Sequence, residues 1–325
     1  MESHHRAAVV TRSDTGFKFD IRNVPIPKPQ PWGILVKLSA TGVCGTDMAL
    51  AGGYLGPCRD ILGHEGVGRV VQIGSGVDPS TIKVGDRIGI AWVRDACGQC
   101  SCCREPGGEV RCLEQQNSGR KWDGTFADHC IVPSRYVLTL PDDPKLPDEI
   151  VAPILCGGVT AYKALKACEA TPGDWVAIVG AGGGVGGLGI QYAKAMGYRV
   201  AAVDVGPAED FCLKMGADAY FDGSSPDTPA KLKKLTPNGA GAKAVIVTAG
   251  SGRAYQNALD LVAVFDRGIK LLGTLVGTRT ETLEALEFVR RGVVEPIVQT
   301  VNFNEIEDLA ARFLTTSGKL VIQFL

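Results

Sequence analysis

The chain has 325 residues, of which 21% are charged, and its 34 Lys and Arg against 35 Asp and Glu give a formal net charge of -1. That balance excludes the basic surface of a nucleic-acid or anionic-membrane binder and points to a small-molecule partner. The length suffices for two domains, the 42 glycines exclude a plain helical protein, and no apolar run reaches the roughly 18 residues of a spanning helix.

The N-terminus, Met1-Glu-Ser-His-His-Arg6, has no hydrophobic signal core, so a cytoplasmic location is expected. The chain carries 11 cysteines, several at metal-ligand spacing. In a reducing compartment these read as zinc thiolates rather than disulfides.

Taken in order, Ala7–Val10 is strand-like, and Pro25-Ile-Pro-Lys-Pro-Gln-Pro31 is extended because proline cannot enter a helix interior. Ile34–Leu38, Gly68–Ile73 and Arg87–Ala91 are short apolar or alternating runs separated by Gly, Pro and Asp. The first half therefore reads as an irregular β-barrel with metal sites on its loops. Cys44 stands in Gly42-Val-Cys-Gly-Thr-Asp47, His64 in Gly63-His-Glu-Gly-Val-Gly68 and Cys156 in Leu155-Cys-Gly-Gly-Val-Thr160. Two thiolates and an imidazole supply zinc with three ligands and leave the fourth position open for water or substrate. Asp47 is of a type to orient His64, and Glu65 is either a transient fourth ligand or a structural acid. Cys97, Cys100, Cys103 and Cys112 place four thiolates on one loop, enough to close a tetrahedral structural zinc, with Cys102 spare. Cys58, Cys130, Cys168 and Cys212 read as small buried hydrophobes.

From near Pro153 the character changes to parallel β-α-β units. Strands are expected at Trp175–Val179, Arg199–Val203, Ala219–Phe221, Ala244–Val247 and Ile269–Leu272. Helices are expected at Val185–Met196, Ala208–Met215, Arg253–Leu261 and Thr282–Arg290, and Lys319–Phe324 reads as a final strand. Between the first strand and its helix lie Gly180, Gly182, Gly183, Gly184, Val185 and Gly186, a turn that lets backbone approach a pyrophosphate at a helix N-terminus. Asp204 ends the next strand about 20 residues on, where an acid accepts the ribose hydroxyls and repels a 2′-phosphate, favouring NAD over NADP. An open zinc beside such a turn suggests hydride transfer between an alcohol and a nicotinamide.

Together these residues resemble the zinc-dependent medium-chain alcohol dehydrogenases, particularly the fungal, yeast-like branch. The likeness also rests on Val84-Gly-Asp-Arg87, Asp123-Gly-Thr-Phe126, Gln191-Tyr-Ala-Lys-Ala-Met-Gly-Tyr-Arg-Val200 and Gly273-Thr-Leu-Val-Gly-Thr-Arg279. It implies a GroES-like barrel domain (1–154 and 280–325), a Rossmann domain with a doubly wound parallel sheet (155–279), one catalytic and one structural zinc, and NAD. The small-molecule substrate implied is an alcohol or its aldehyde. The resemblance makes Thr46 the hydroxyl that takes the substrate proton and Trp92 and Tyr54 the aromatics narrowing the pocket. It adds Thr248 and Arg279 to the cofactor contacts, and implies a homo-oligomer, dimer or tetramer, if the sheet edge is intact.

Three departures stand out. Ala49 replaces the usual relay histidine, Gly45 stands where the family often offers a cationic or imidazole contact to phosphate, and a segment that normally forms another strand is missing before Phe265–Gly268. Buried backbone groups do not tolerate an empty slot in a sheet. Either Ile269–Leu272 moves inward, or the sheet ends early and is one strand short. Two competing expectations follow: a biosynthetic reductase or dehydrogenase for a larger substrate, and a redox-dead zinc-binding relative.

Overall fold

The computed structural model describes residues 3–14, 16–262 and 269–324. Its chain divides into two units, the first comprising Met1–Cys156, Gly277–Thr282 and Val298–Leu325, the second Gly157–Val276 and Leu283–Ile297. No single helix among the described residues is long and apolar enough to cross a membrane.

The first unit opens with an antiparallel hairpin, β1 (His4–Ser13) and β2 (Gly16–Pro25). Its main sheet is built on β3 (Gly33–Val43), β4 (Gly66–Ile73) and β5 (Arg87–Ile90). A small pair, β6 (Val93–Asp95) and β7 (Gln116–Asn117), stands apart, followed by β8 (His129–Pro133) and β9 (Leu138–Thr139). The C-terminal β14 (Val298–Asn302) and β15 (Lys319–Gln323) complete a sheet ordered β14-β15-β3-β4-β5-β9, with β8 also on β3.

Strand β3 is the pivot. Its alternating Ile34, Val36 and Leu38 pack in one core cluster with Val70, Ile88, Ile90, Cys130 and Val132, as a half-buried strand requires. A register shift against β4 between Leu38 and Ala40 then breaks the alternation. Beyond it Thr41, Gly42, Val43 and Cys44 are all buried, so the bulge delivers the end of the strand inward. Helix α1 (Gly45–Ala51) follows at once, and its first-turn acid Asp47 accepts a hydrogen bond from the Cys44 amide at 3.0 Å.

The chain then passes through α2 (Asp148–Val151) into the second unit and α3 (Gly157–Ala167). Its sheet is wholly parallel, ordered β12-β11-β10-β13, from β10 (Trp175–Val179), β11 (Arg199–Asp204), β12 (Ala219–Asp222) and β13 (Ala244–Val247). The crossovers are α4 (Gly184–Ala195), α5 (Glu209–Lys214) and α6 (Thr228–Leu235), and α7 (Gly252–Leu261) follows β13. All five residues of β10 are buried, the continuous apolar run expected of a strand covered on both faces.

Two expectations are corrected. Ile269–Leu272 is not a strand: residues 269–275 are irregular, and Leu271 is 88% exposed. Among the described residues β13 pairs only with β10, so the sheet ends there rather than drawing the later segment inward. An apolar run cannot by itself tell a strand from an irregular stretch, and here no neighbouring strand bonds it. The expected junction at Phe265–Gly268 lies outside the described residues.

The second correction concerns the return to the first unit. Within the expected 280–325 return, residues 283–297 group with the second unit. The cause is aromatic packing: on the helix Arg279–Arg290, Phe288 sits 5.7 Å from Tyr162 and 5.8 Å from Tyr192, and Tyr192 donates to the Ala285 carbonyl at 3.1 Å.

Candidate metal and cofactor sites

The turn from β3 into α1 sets Cys44, Thr46 and Asp47 within four residues. Asp47 is fully buried and accepts three hydrogen bonds: from the Cys44 amide at 3.0 Å, the Gly63 amide at 3.1 Å and His64 Nδ1 at 2.9 Å. That places the imidazole proton on Nδ1 and turns the Nε2 lone pair inward. Nε2 is buried and has no hydrogen-bond partner. Trp92, also buried, meets the ring edge to face at 5.3 Å and holds its plane.

The Sγ atoms of Cys44 and Cys156 are 3.9 Å apart. A disulfide needs about 2.05 Å, whereas two ligands of a tetrahedral zinc at ~2.3 Å stand about 3.8 Å apart. Donor atoms of Cys44, His64, Glu65 and Cys156 all lie within 4.8 Å of one another. Such a cluster is built for a cation. The hydrogen bond from Cys156 and the neighbouring His64 outweigh burial and pull the Cys44 thiol well below its usual range. Burial opposes a charged His64, but Asp47 and Cys44 raise it well above its ordinary value. An imidazole nitrogen with no hydrogen-bond partner, one stabilised thiolate and a second sulfur at tetrahedral spacing fit a zinc ion.

Glu65 is the fourth member. Burial pushes its carboxyl up to about 7, against the pull of Lys319. Lys319 Nζ donates to Glu65 Oε1 at 2.8 Å and to the Val43 carbonyl at 3.3 Å. Burial works against the ammonium, yet Glu65, Cys44 and Cys156 raise its pKa above the ordinary lysine range. Gly42 leaves the room required, since a Cβ there would lie 1.9 Å from Glu65 Oε2.

The sequence reading missed Lys319. Its one signal is a charged residue opening an apolar strand: Leu320 pairs with Val43, so Lys319 falls beside the β3–α1 turn. Thr46 Oγ1 lies 3.7 Å from Cys44 Sγ, whereas Tyr54 is 85% exposed on the turn after α1 and is not brought to the cluster.

Cys97, Cys100, Cys103 and Cys112 converge within the same 4.8 Å limit, and Cys102 is not among them. Cys97 Sγ stands 4.0 Å from Cys103 Sγ. Backbone amides serve the sulfurs, Cys97 N reaching Cys112 Sγ at 3.2 Å and Cys100 N reaching Cys97 Sγ at 3.3 Å. Amides of Leu113 and Cys103 lead in lowering the Cys100 thiol to about 6. Four converging sulfurs supply all the ligands of a tetrahedral structural zinc.

In the second unit β10 runs into the glycine turn, with Gly183 capping α4. A Cβ on Gly186 would lie 2.2 Å from the Gly180 carbonyl oxygen, so only glycine permits this close approach of helix and turn. Asp204 accepts from the Gly182 amide at 2.5 Å. Thr248 donates to the Val179 and Gly180 carbonyls, each at 3.0 Å, tying the end of β13 to the turn. Arg279 belongs to the first unit, where its guanidinium stacks 4.4 Å from the Tyr136 ring centroid.

Residues 30–142 match the family model described as "Alcohol dehydrogenase GroES-like domain", and residues 184–293 match "Zinc-binding dehydrogenase". An alcohol dehydrogenase of Geobacillus stearothermophilus is 40% identical, covering 98% of each chain. The chain belongs to the zinc-dependent alcohol dehydrogenase family. An alcohol dehydrogenase of Schizosaccharomyces pombe is 36% identical over 88% of this chain and 87% of its own. The alcohol dehydrogenase structure of Aeropyrum pernix superposes with a TM-score of 0.84 at 27% identity, covering 98% of this chain and 99% of that one.

Family membership makes the protein a zinc-dependent alcohol oxidoreductase with a GroES-like and a Rossmann domain, and its donor sets and dinucleotide turn fit two zinc ions and NAD. The Geobacillus alignment spans 345 positions against 325 residues here, so that dehydrogenase carries residues this one lacks.

Proposed function

We propose that this dehydrogenase interconverts small primary alcohols and their aldehydes using NAD in preference to NADP. The observation that carries this reading is the three-ligand constellation: two sulfurs 3.9 Å apart and a buried His64 Nε2 with no other partner. Zinc held there supplies Lewis-acid polarisation of the substrate oxygen and lowers the pKa of its hydroxyl. Cys44, His64 and Cys156 form the floor, and Asp47 keeps His64 in the ligating tautomer. Trp92 covers one side with an apolar ring, which suits a short alkyl chain and limits water. The Thr46 hydroxyl receives the proton of the alcohol and hands it towards solvent. Asp204 supports NAD, because a carboxylate at the end of β11 repels a 2′-phosphate.

The test is NAD reduction by zinc-replete protein over a panel of short primary alcohols. Turnover is expected and is expected to vanish in Cys44→Ser. Failure with both zinc sites filled overturns the reading. The early end of the sheet at β13 favours one competitor, a zinc-holding relative without turnover; NADH binding argues against it.

Ala49 on α1 offers no side chain to carry the Thr46 proton onward. Ala49→His is therefore expected to raise turnover several-fold below neutral pH, read from the kcat–pH profile. An unchanged profile would sink the relay argument.

A further inference from the structure

Four donors, not three, converge at the first metal site: Cys44, His64, Glu65 and Cys156. A zinc ion with four protein ligands is closed and structural, whereas a reactive one keeps a position free. Something must restrain Glu65. Its Oε2 is buried without a hydrogen-bond partner, so one oxygen is available to a cation. The other is tethered to Lys319 at 2.8 Å, in a pair whose side chains are 0% and 5% exposed. Lys319 is itself anchored by the Val43 carbonyl, one residue before Cys44, and by its place at the start of β15.

We propose that Lys319 is a positioning residue that holds Glu65 off the metal and so keeps the fourth position open for substrate. This rests on the zinc-oxidoreductase reading above. Charge explains why a cation is needed there. Two thiolates balance one divalent ion, and Glu65 adds a negative charge that Lys319, alone among the described residues, cancels at hydrogen-bond distance. Without the ammonium, the carboxylate has no other Lys or Arg at hydrogen-bond distance among the described residues, and burying it unpaired is costly. Binding the ion is its way out, and that closes the site.

The experiment uses the full chain loaded with cobalt(II), whose absorption reports its donor set, and titrates it with imidazole as an external ligand for the open position. Lys319→Met is expected to shift the cobalt bands and weaken imidazole binding about tenfold or more, the scale on which supporting partners of metal ligands act. Adding Glu65→Gln to that variant is expected to restore both readouts, and Lys319→Arg to retain them.

Unchanged bands and imidazole affinity in Lys319→Met overturn the proposal, as does a loss that Glu65→Gln leaves in place. Should Lys319→Met fail to fold, Glu65→Gln alone decides. Its bands are expected to match the unsubstituted chain, and a shift would show that Glu65 was already a ligand. If the unsubstituted chain binds two cobalt ions but its bands do not change with imidazole, the latch fails and the zinc reading stands. If it binds only one, with the bands of the four-cysteine site alone, the zinc reading itself fails.

Discussion

Replacing Asp47 with alanine is expected to weaken metal binding at the Cys44–His64–Cys156 site by about 100-fold, the upper end for losing a ligand's supporting partner. The size follows from three jobs done by one buried carboxylate. It orients His64 through Nδ1 and satisfies the amides of Cys44 and Gly63, which begin the two segments carrying ligands. Alanine frees the imidazole to rotate and leaves two buried N–H groups unpaired, each at about 1–3 kcal/mol. Chelator competition should then strip one metal equivalent per chain early, with the four-cysteine site unaffected. A variant that retains both equivalents as tightly as the parent would refute the argument.

Gly186→Ala is expected to abolish dinucleotide binding and to destabilise the second unit by about 3 kcal/mol or more, at the top of the overpacking range. The added Cβ would stand 2.2 Å from the Gly180 oxygen and 2.6 Å from the Ala181 Cα. Both are backbone atoms of the phosphate turn, so relief requires moving the turn itself. Gly189→Ala, on the same helix, is the control. Its new Cβ meets only Ile178 Cδ1 at 3.4 Å and Ala161 Cβ at 3.7 Å, and it gains helix propensity. NADH fluorescence titration and thermal melts of the two variants separate turn geometry from general packing. Equal behaviour of the pair would defeat the claim.

What could be read from the sequence depended on how locally each feature is encoded. Cys97, Cys100, Cys103 and Cys112 share one loop, so their spacing is nearly their geometry, and the glycine turn is likewise a local device between β10 and α4. Cys44, His64 and Cys156 come from separate segments; each thiol alone reads as a small buried hydrophobe, and although their residue types suggest a zinc set, the sequence does not display the distances between them. Lys319 was invisible because it meets Glu65 across 254 positions, through a register between β15 and β3 that sequence does not display. Tyr54 had the right chemistry for a pocket wall, but the turn after α1 leaves it in solvent. The division within the helix Arg279–Arg290 was hidden for a similar reason: its inward face is decided by Tyr162 and Tyr192, far upstream.

The separation of the two metal sites along the chain also orders their completion during synthesis. The four-cysteine site has all its ligands once residue 112 has left the ribosome. The other must wait for Cys156, and Lys319 arrives later still, with strand β15. Until β15 pairs with β3, Glu65 lacks the ammonium that the folded chain sets beside it. At that stage the cluster offers a cation four ligands rather than three. Strand β15 thus supplies the side chain that would turn a storage-like metal site into a reactive one.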